Sequence, residues 1–235
     1  MSRVVNDLFV LFLVVVVPVM SYLTARQDEL LMVPRKSLYF SAVVSQWSLA
    51  ILAAVIIVFT SAPFWGFKIA SWGGSIRWTV GLIGASFAGI GLGLLLEAMG
   101  WWPGEAPLVA RLIPVTHLEK VWALVVVAPT AGICEEFVYR GYLLPQLAWS
   151  SHSVTFAWGV SSIAFGLCHA YQRFSGVVRA TLLGALLAAP IVFGASIYPA
   201  IVTHILIDAA ALLWIGPASL RRQVDIAGRS RVDSV

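Results

Sequence analysis

The sequence predicts an all-α, polytopic transmembrane helical bundle with about seven membrane-spanning helices, an eighth being possible. Of the 235 residues, 60% are hydrophobic and only 11% are charged, whereas soluble domains contain roughly 45 to 50% apolar residues. The mean hydropathy is +0.92, and the apolar residues form runs of about 20, the length with which a helix crosses a bilayer. We therefore expect residues 1–235 to form a single integral membrane domain in the lipid bilayer.

Seven apolar runs mark the predicted helices. The first run is long for a signal peptide and has no small-x-small cleavage site after Ser21-Tyr22-Leu23, so we interpret it as a span. Five glycines in the third run predict close helix packing: Gly81, Gly84, Gly89, Gly91 and Gly93. The predicted helices run from Leu8 to Thr24, Leu38 to Thr60, Thr79 to Trp102, Val121 to Trp149, Ser153 to Tyr171, Val177 to Phe193 and Ile197 to Ile215.

Basic residues are distributed unevenly among the predicted loops. With the N-terminus outside the cytoplasm, eleven of the fifteen Lys and Arg fall in cytoplasmic segments and three on the opposite side, as the positive-inside rule requires. This distribution predicts an extracytoplasmic N-terminus and a polar cytoplasmic tail over residues 216–235. The connection 61–78 carries Trp65, Trp72 and Trp78, and Trp101 and Trp102 directly precede the connection 103–120. Both connections are therefore predicted to lie along the membrane interface. Because the basic residues are scattered, the net charge of +4 indicates no nucleic-acid partner.

Several ionisable residues lie inside the apolar runs, where a charge costs about 2.5 to 3.5 kcal/mol at the bilayer centre. Glu135 and Glu136 differ by about 100° around a helix axis, so a Glu136 that pairs with Arg140 leaves Glu135 facing elsewhere. Residues four apart share a helix face. This spacing pairs Glu136 with Arg140, Glu135 with Tyr139, Phe165 with His169, and His204 with Asp208.

These side chains suit the hydrolysis of a polar bond. A Glu and a His near one water can remove its proton as general bases, and a second imidazole or a protonated carboxyl can donate to an oxyanion. The sequence contains neither GxSxG nor HExxH. A hydrolase built from these groups is therefore expected to activate water directly.

Two other interpretations remain open. Glu135, His169 and His204 could bind zinc, because His and carboxylate are usual zinc ligands, and the chain would then be a zinc-dependent intramembrane metalloprotease. Intramembrane Glu, His and Asp also form proton relays, which would suit a proton-coupled transporter or a non-catalytic membrane scaffold. Transporters usually show two repeated halves, and the sequence has no such repeat. We expect no cofactor.

Three ordered motifs on separate hydrophobic segments resemble those of the CAAX protease and bacteriocin-processing family, also called CPBP or Abi. They are Glu135-Glu136-x-x-x-Arg140, Phe165-x-x-x-His169 and His204-x-x-x-Asp208. The resemblance covers residues 121–215 as a catalytic core and leaves residues 1–120 as N-terminal helices without a motif. It implies an intramembrane glutamic endopeptidase, related to the CAAX prenyl protease, that cleaves a membrane-anchored protein or peptide.

The resemblance also implies residue roles. The expected catalytic residues are Glu135, which activates water with His169, and the pair His204 and Asp208, which forms the oxyanion site. Glu136 with Arg140 is expected to brace the first motif helix, and Phe165 is expected to line the pocket. Tyr139 is a further supporting residue.

One residue departs from the family pattern, because the position of Asp208 is most familiar as Asn. An ionised Asp208 would repel an oxyanion. Either Asp208 is protonated and donates, or it orients His204 and the imidazole alone donates, as in other hydrolases that pair a carboxylate with histidine. We favour the orienting role slightly.

Simple straight spans do not bring the motif residues together. They place Glu135 near mid-membrane, His169 near the cytoplasmic end of its helix and His204 nearer the opposite end. Convergence requires helix tilt, a longer fifth helix, or a break near Pro129 or Pro190, since non-helical backbone is tolerated where it lines a protein cavity.

Overall fold

The computed structural model describes residues 2–103 and 106–221. Within these ranges the chain forms eight helices and no β-strand. Short 3₁₀ turns at Asp28–Leu31 and Ala170–Gln172 occupy two connections. The helices are α1 (Arg3–Thr24), α2 (Arg35–Thr60), α3 (Trp72–Ala98), α4 (Pro107–Leu112), α5 (His117–Ser151), α6 (Val154–Leu167), α7 (Arg173–Val192) and α8 (Tyr198–Arg221).

All seven predicted helices are present, and the all-α bundle is confirmed. Six of the described helices are long and apolar enough to cross a membrane, whereas α6 has only 14 residues and therefore rises about 21 Å. The connection 103–120 contains the additional short helix α4.

Helices α3 and α8 differ from the prediction in ways that affect the connections. Helix α3 begins at Trp72 and ends at Ala98, so it is shifted toward the N-terminus. Helix α8 continues to Arg221, so the predicted polar tail begins with helical residues, and its remainder, 222–235, lies outside the described residues. The orientation of the termini stays a prediction.

Helix α5 lies at the centre of the bundle, where it packs against α2, α6 and α8. Gly132 permits the closest approach to α8, because a Cβ at this position would lie 2.5 Å from Ile205 Cγ1 and 3.0 Å from the Ile205 backbone nitrogen. Small residues allow helices to approach closely in lipid. The α3 glycines do not make the predicted close packing with the other described residues, since a Cβ would meet nothing within 4 Å at any of Gly81, Gly84, Gly89, Gly91 and Gly93.

The short helix α6 places His169 at the depth of Glu135. Helix α5 advances about 24 Å from Glu135 to its end, and the chain then returns about 22 Å from Val154 to His169. Contacts between the two helices confirm this register: Ser161 donates to the Tyr139 carbonyl at 3.0 Å, and Tyr139 Oη lies 2.7 Å from Cys168 Sγ. By this register His169 lies at about the depth of Glu135, on a fifth predicted span that is shorter than expected.

Helix α8 begins inside the bundle because the loop between α2 and α3 reaches its first turn. The Trp65 amide donates to the Gly141 carbonyl at 3.1 Å, and the Ile197 amide donates to the Gly66 carbonyl at 2.7 Å. Gly66 has a φ of +91°, and Ile197 lies 3.2 Å from where its Cβ would be, so a residue with a side chain would be strained here. The loop thus contacts both α5 and the first turn of α8, the helix that carries His204, and the interfacial position of 61–78 stays a prediction.

Candidate active site

The centre of the site is a buried ion pair on α5 that also holds an imidazole from α8. Arg140 Nη1 lies 3.1 Å from Glu136 Oε1, with the two side chains 1% and 0% exposed. His204 Nδ1 lies 2.7 Å from the same oxygen. Arg140 Nη2 also donates to the Gly184 carbonyl of α7 at 3.0 Å. These contacts compensate the Glu136 charge, which burial without a partner would make costly.

Glu135 points away from this pair, as the 100° rotation predicts. Its Oε1 accepts a hydrogen bond from Gln46 Nε2 of α2 at 2.6 Å. Its Oε2 lies 3.8 Å from His204 Nε2 and accepts no hydrogen bond from the described residues. The Glu135 side chain is 17% exposed, so it is more accessible than the completely buried Glu136.

His204 is surrounded by three carboxylates. Besides Glu136 and Glu135, it has Asp208 nearby, whose Oδ2 lies 3.7 Å from His204 Nε2, and the Asp208 side chain is 31% exposed. A carboxylate accepts hydrogen bonds, so His204 Nδ1 carries the proton that it donates to Glu136. The other ring nitrogen, Nε2, faces Glu135 and Asp208. The predicted pairing of His204 with Asp208 is present, but the hydrogen-bonded carboxylate is Glu136.

His169 joins the cluster through Phe165. Its Nδ1 lies 2.8 Å from the Phe165 carbonyl, which can only accept, so Nδ1 carries the proton and Nε2 retains its lone pair in the neutral ring. The Phe165 ring centroid lies 4.8 Å from that of His169 and 6.0 Å from that of His204. The phenyl ring therefore contacts both imidazoles.

Phe165 also ties the supporting residues to the site. The Arg140 guanidinium carbon lies 4.2 Å from the Phe165 ring centroid, a cation–π contact. Tyr139 packs edge-on against the same ring at 5.3 Å between centroids. All the sequence-predicted site residues thus form one connected cluster: Glu135, Glu136, Tyr139, Arg140, Phe165, His169, His204 and Asp208.

The metal alternative receives no support from the arrangement of donor groups. Across residues 2–103 and 106–221, no group of three or more His, Cys, Asp or Glu side chains is placed to hold a metal ion. The expectation that the protein uses no cofactor stays a prediction.

Sequence reasoning missed Gln46 and the carbonyl of Gly184. The carbonyl carries no sequence signal, because its exposure to Arg140 depends on how α7 packs. Gln46 did carry a sequence signal, since it is the single amide side chain between Leu38 and Thr60. A polar side chain in such a segment needs a partner on another helix.

The region that holds the motifs also matches a known family. Residues 117–210 match the family model described as Type II CAAX prenyl endopeptidase Rce1-like. This segment is therefore similar to an Rce1-like domain. It extends from the start of α5 into α8 and contains all three motifs, which confirms the resemblance predicted for 121–215. Neither the curated proteins nor the solved structures include a match to the chain.

The Rce1-like domain and the six apolar helices describe an integral, multi-pass membrane protein. The family implies CAAX-type intramembrane protease activity in general, which is a hydrolase activity. Gln46 lies outside the matched residues, so the Rce1-like domain receives one contact to its first motif from the N-terminal helices.

Proposed function

We propose that this protein is an intramembrane endopeptidase of the glutamic type, in which Glu135 is the general base. The observation that carries the proposal is the position of Glu135 Oε2, which is 3.8 Å from His204 Nε2 and accepts no hydrogen bond from the described residues. A water molecule between these groups would face both a proton acceptor and an imidazole. General-base hydrolysis requires a base within hydrogen-bonding reach of the water, and the unengaged Oε2 could take that role for a water held beside both groups.

In the proposed reaction, Glu135 takes a proton from water while the water oxygen bonds to the carbonyl carbon of the scissile peptide. His169 assists through the lone pair on Nε2, since its Nδ1 proton is engaged by the Phe165 carbonyl. The resulting tetrahedral intermediate carries the negative charge on the former carbonyl oxygen. Glu135 then returns the proton to the peptide nitrogen as the carbon–nitrogen bond breaks, which gives a carboxylic acid and an amine.

His204 is proposed to stabilise the oxyanion. With Nδ1 donating to Glu136, the ring can donate from Nε2 only as the imidazolium, and the nearby carboxylates are the counter-charges for that form. Donors held in position before the reaction stabilise developing charge most effectively. Glu136 and Arg140 therefore contribute by fixing the His204 ring, and Asp208 is placed beside the same nitrogen.

The proposed substrate is a membrane-anchored protein or peptide. The matched family is described by its action on CAAX prenyl sequences, so a prenylated C-terminal peptide is the first probe. The predicted arrangement, with the N-terminus extracytoplasmic and the C-terminus cytoplasmic, belongs to the same proposal. Asp208 is the most exposed of the three carboxylates around His204, and we propose that substrate approaches from its side.

The test uses the purified full-length protein in lipid nanodiscs with an internally quenched farnesylated peptide ending in a CAAX sequence. Wild type is expected to cleave it, and Glu135→Gln and His169→Ala are expected to lose at least about 100-fold in kcat, as removal of a general base does. Ser45→Ala is the matched control, because Ser45 is exposed and donates only to the Ala42 carbonyl of its own helix.

Failure of wild type to cleave the prenylated probe would contradict the proposal, and so would either of two further results. Cleavage by Glu135→Gln at the wild-type rate would show that this carboxylate is not the base. Loss of wild-type cleavage with a chelator, restored by zinc, would support the metalloprotease alternative. An unprenylated peptide of the same sequence shows whether the lipid is part of the recognised substrate.

A further inference from the structure

The contact between Gln46 and Glu135 joins the N-terminal helices to the proposed base. Gln46 Nε2 lies 2.6 Å from Glu135 Oε1, a short distance for a nitrogen donor. Gln46 belongs to α2, outside both the matched domain at 117–210 and the three motifs. It is the contact by which an element without a motif reaches the proposed base.

The hydrogen bond distinguishes the two oxygens of Glu135. A carboxylate can only accept, so the amide nitrogen of Gln46 donates. Oε1 is thereby engaged, whereas Oε2 accepts no hydrogen bond from the described residues and lies 3.8 Å from His204 Nε2. The donor on one side fixes which oxygen faces the imidazole.

Helix α2 is held firmly against α5 at this point. Trp47 Nε1 donates to Thr130 Oγ1 at 3.3 Å. The next buried residues of α2 toward its C-terminus are Ala50 and Ala53, which are 7% and 0% exposed. Small residues let two membrane helices approach closely. The Gln46 amide therefore comes from a packed helix rather than from a mobile loop.

We infer that Gln46 is a positioning residue that holds the Glu135 carboxylate in the rotamer that presents Oε2 to the water. This inference rests on the proposed function, in which Glu135 is the base. Gln46 acts through Glu135 and does not touch the reacting atoms. Losing it is therefore expected to lower turnover without weakening substrate binding.

The experiment compares Gln46→Met, which keeps the length of the side chain but has no donor, with Ser45→Ala. Both are assayed in nanodiscs with the farnesylated CAAX peptide, and kcat and KM are determined separately. Gln46→Met is expected to lower kcat by about tenfold or more, because a hydrogen bond to a charged group is lost, with KM unchanged. Ser45→Ala is expected to retain both constants.

A second measurement separates positioning from a general role in helix packing. In the Glu135→Gln background the base is already absent, so adding Gln46→Met is expected to leave the residual rate unchanged. A substitution that merely loosened the packing of α2 would lower the rate in both backgrounds and would also lower Tm. Reduced activity in both backgrounds would therefore overturn the inference.

The remaining outcomes distinguish the two proposals. If Glu135→Gln is inactive and Gln46→Met retains wild-type kcat, the inference fails and the proposed function stands. If Glu135→Gln cleaves like wild type, or wild type does not cleave the prenylated probe, the proposed function fails and the inference fails with it.

Discussion

Glu136 Oε1 lies 2.7 Å from His204 Nδ1. This is the shortest contact between a carboxylate and an imidazole among the described residues of the site. Asp208 lies farther away, with its Oδ2 3.7 Å from Nε2 of the same ring. The residue expected only to brace the first motif helix is thus the one placed to orient His204. Asp208 faces the nitrogen that the proposed mechanism turns toward the oxyanion.

Asp208→Asn is predicted to retain activity within about tenfold of wild type. An Asn amide keeps the shape and can donate toward an oxyanion.

Glu136→Gln is predicted to lower kcat by at least about 100-fold, since it removes the charged acceptor that fixes the His204 ring. Both variants are assayed for kcat with the prenylated peptide. A larger loss in Asp208→Asn than in Glu136→Gln would return the orienting role to Asp208.

Arg140→Met is predicted to destabilise the protein by about 3 to 5 kcal/mol, because it leaves the completely buried Glu136 without its cation. The substitution also deprives the Gly184 carbonyl of its donor. Thermal unfolding in nanodiscs measures the effect. The double variant Glu136→Gln with Arg140→Met removes both charges and is expected to recover part of the lost stability. A double variant no more stable than Arg140→Met alone would show that the two charges are uncoupled.

Gly132→Ala is predicted to lower both stability and kcat. The new Cβ would lie 2.5 Å from Ile205 Cγ1 and 3.0 Å from the Ile205 backbone nitrogen, which forces apart α5 and the helix that carries His204. Overpacking of this kind costs about 1 to 3 kcal/mol.

The matched control for Gly132→Ala is Gly84→Ala in α3, where a Cβ meets nothing within 4 Å. Alanine favours a helix over glycine by about 1 kcal/mol, so this control should keep its activity and lose no stability. Tm and kcat are measured for both variants. If the two variants have the same Tm and kcat, the packing of α5 against α8 does not depend on a close approach at Gly132.

Tyr139→Phe is predicted to have a small effect, no more than a few-fold in kcat. The ring retains its edge-on contact with Phe165, and only the hydrogen bond with Cys168 Sγ is lost, which is worth about 1 kcal/mol. Activity and Tm check this expectation. A loss as large as that of Glu135→Gln would instead place the Tyr139 hydroxyl in the reaction.

Local spacing predicted those parts of the site that lie on one helix. The four-residue repeat of a helix face places Glu136 beside Arg140 and His204 beside Asp208, and both pairs are present at 3.1 Å and 3.7 Å. The rotation between consecutive residues also correctly directed Glu135 away from Arg140. These relationships depend only on helix geometry, so a sequence pattern is sufficient for them.

The relative depth of the helices could not be predicted in the same way. Helix α6 has only 14 residues and returns the chain to about the depth of Glu135 at His169, and the first turn of α8 is hydrogen-bonded to the loop at Gly66. Hydropathy records how apolar a run is and places every span across the whole bilayer. It carries no information about a loop that enters the bundle or about which helix contacts Gln46.

The hydrogen bond from the Ile197 amide to the Gly66 carbonyl ties the segment that carries the three motifs to a loop outside it. The first turn of α8 rests on a loop encoded far upstream, before the segment that matches the family begins. A chimera that grafts residues 117–210 onto unrelated N-terminal helices would keep every motif residue, yet it would lose the support that sets the depth of His204. A chimera made from this protein is therefore expected to need the loop between α2 and α3 along with the motifs.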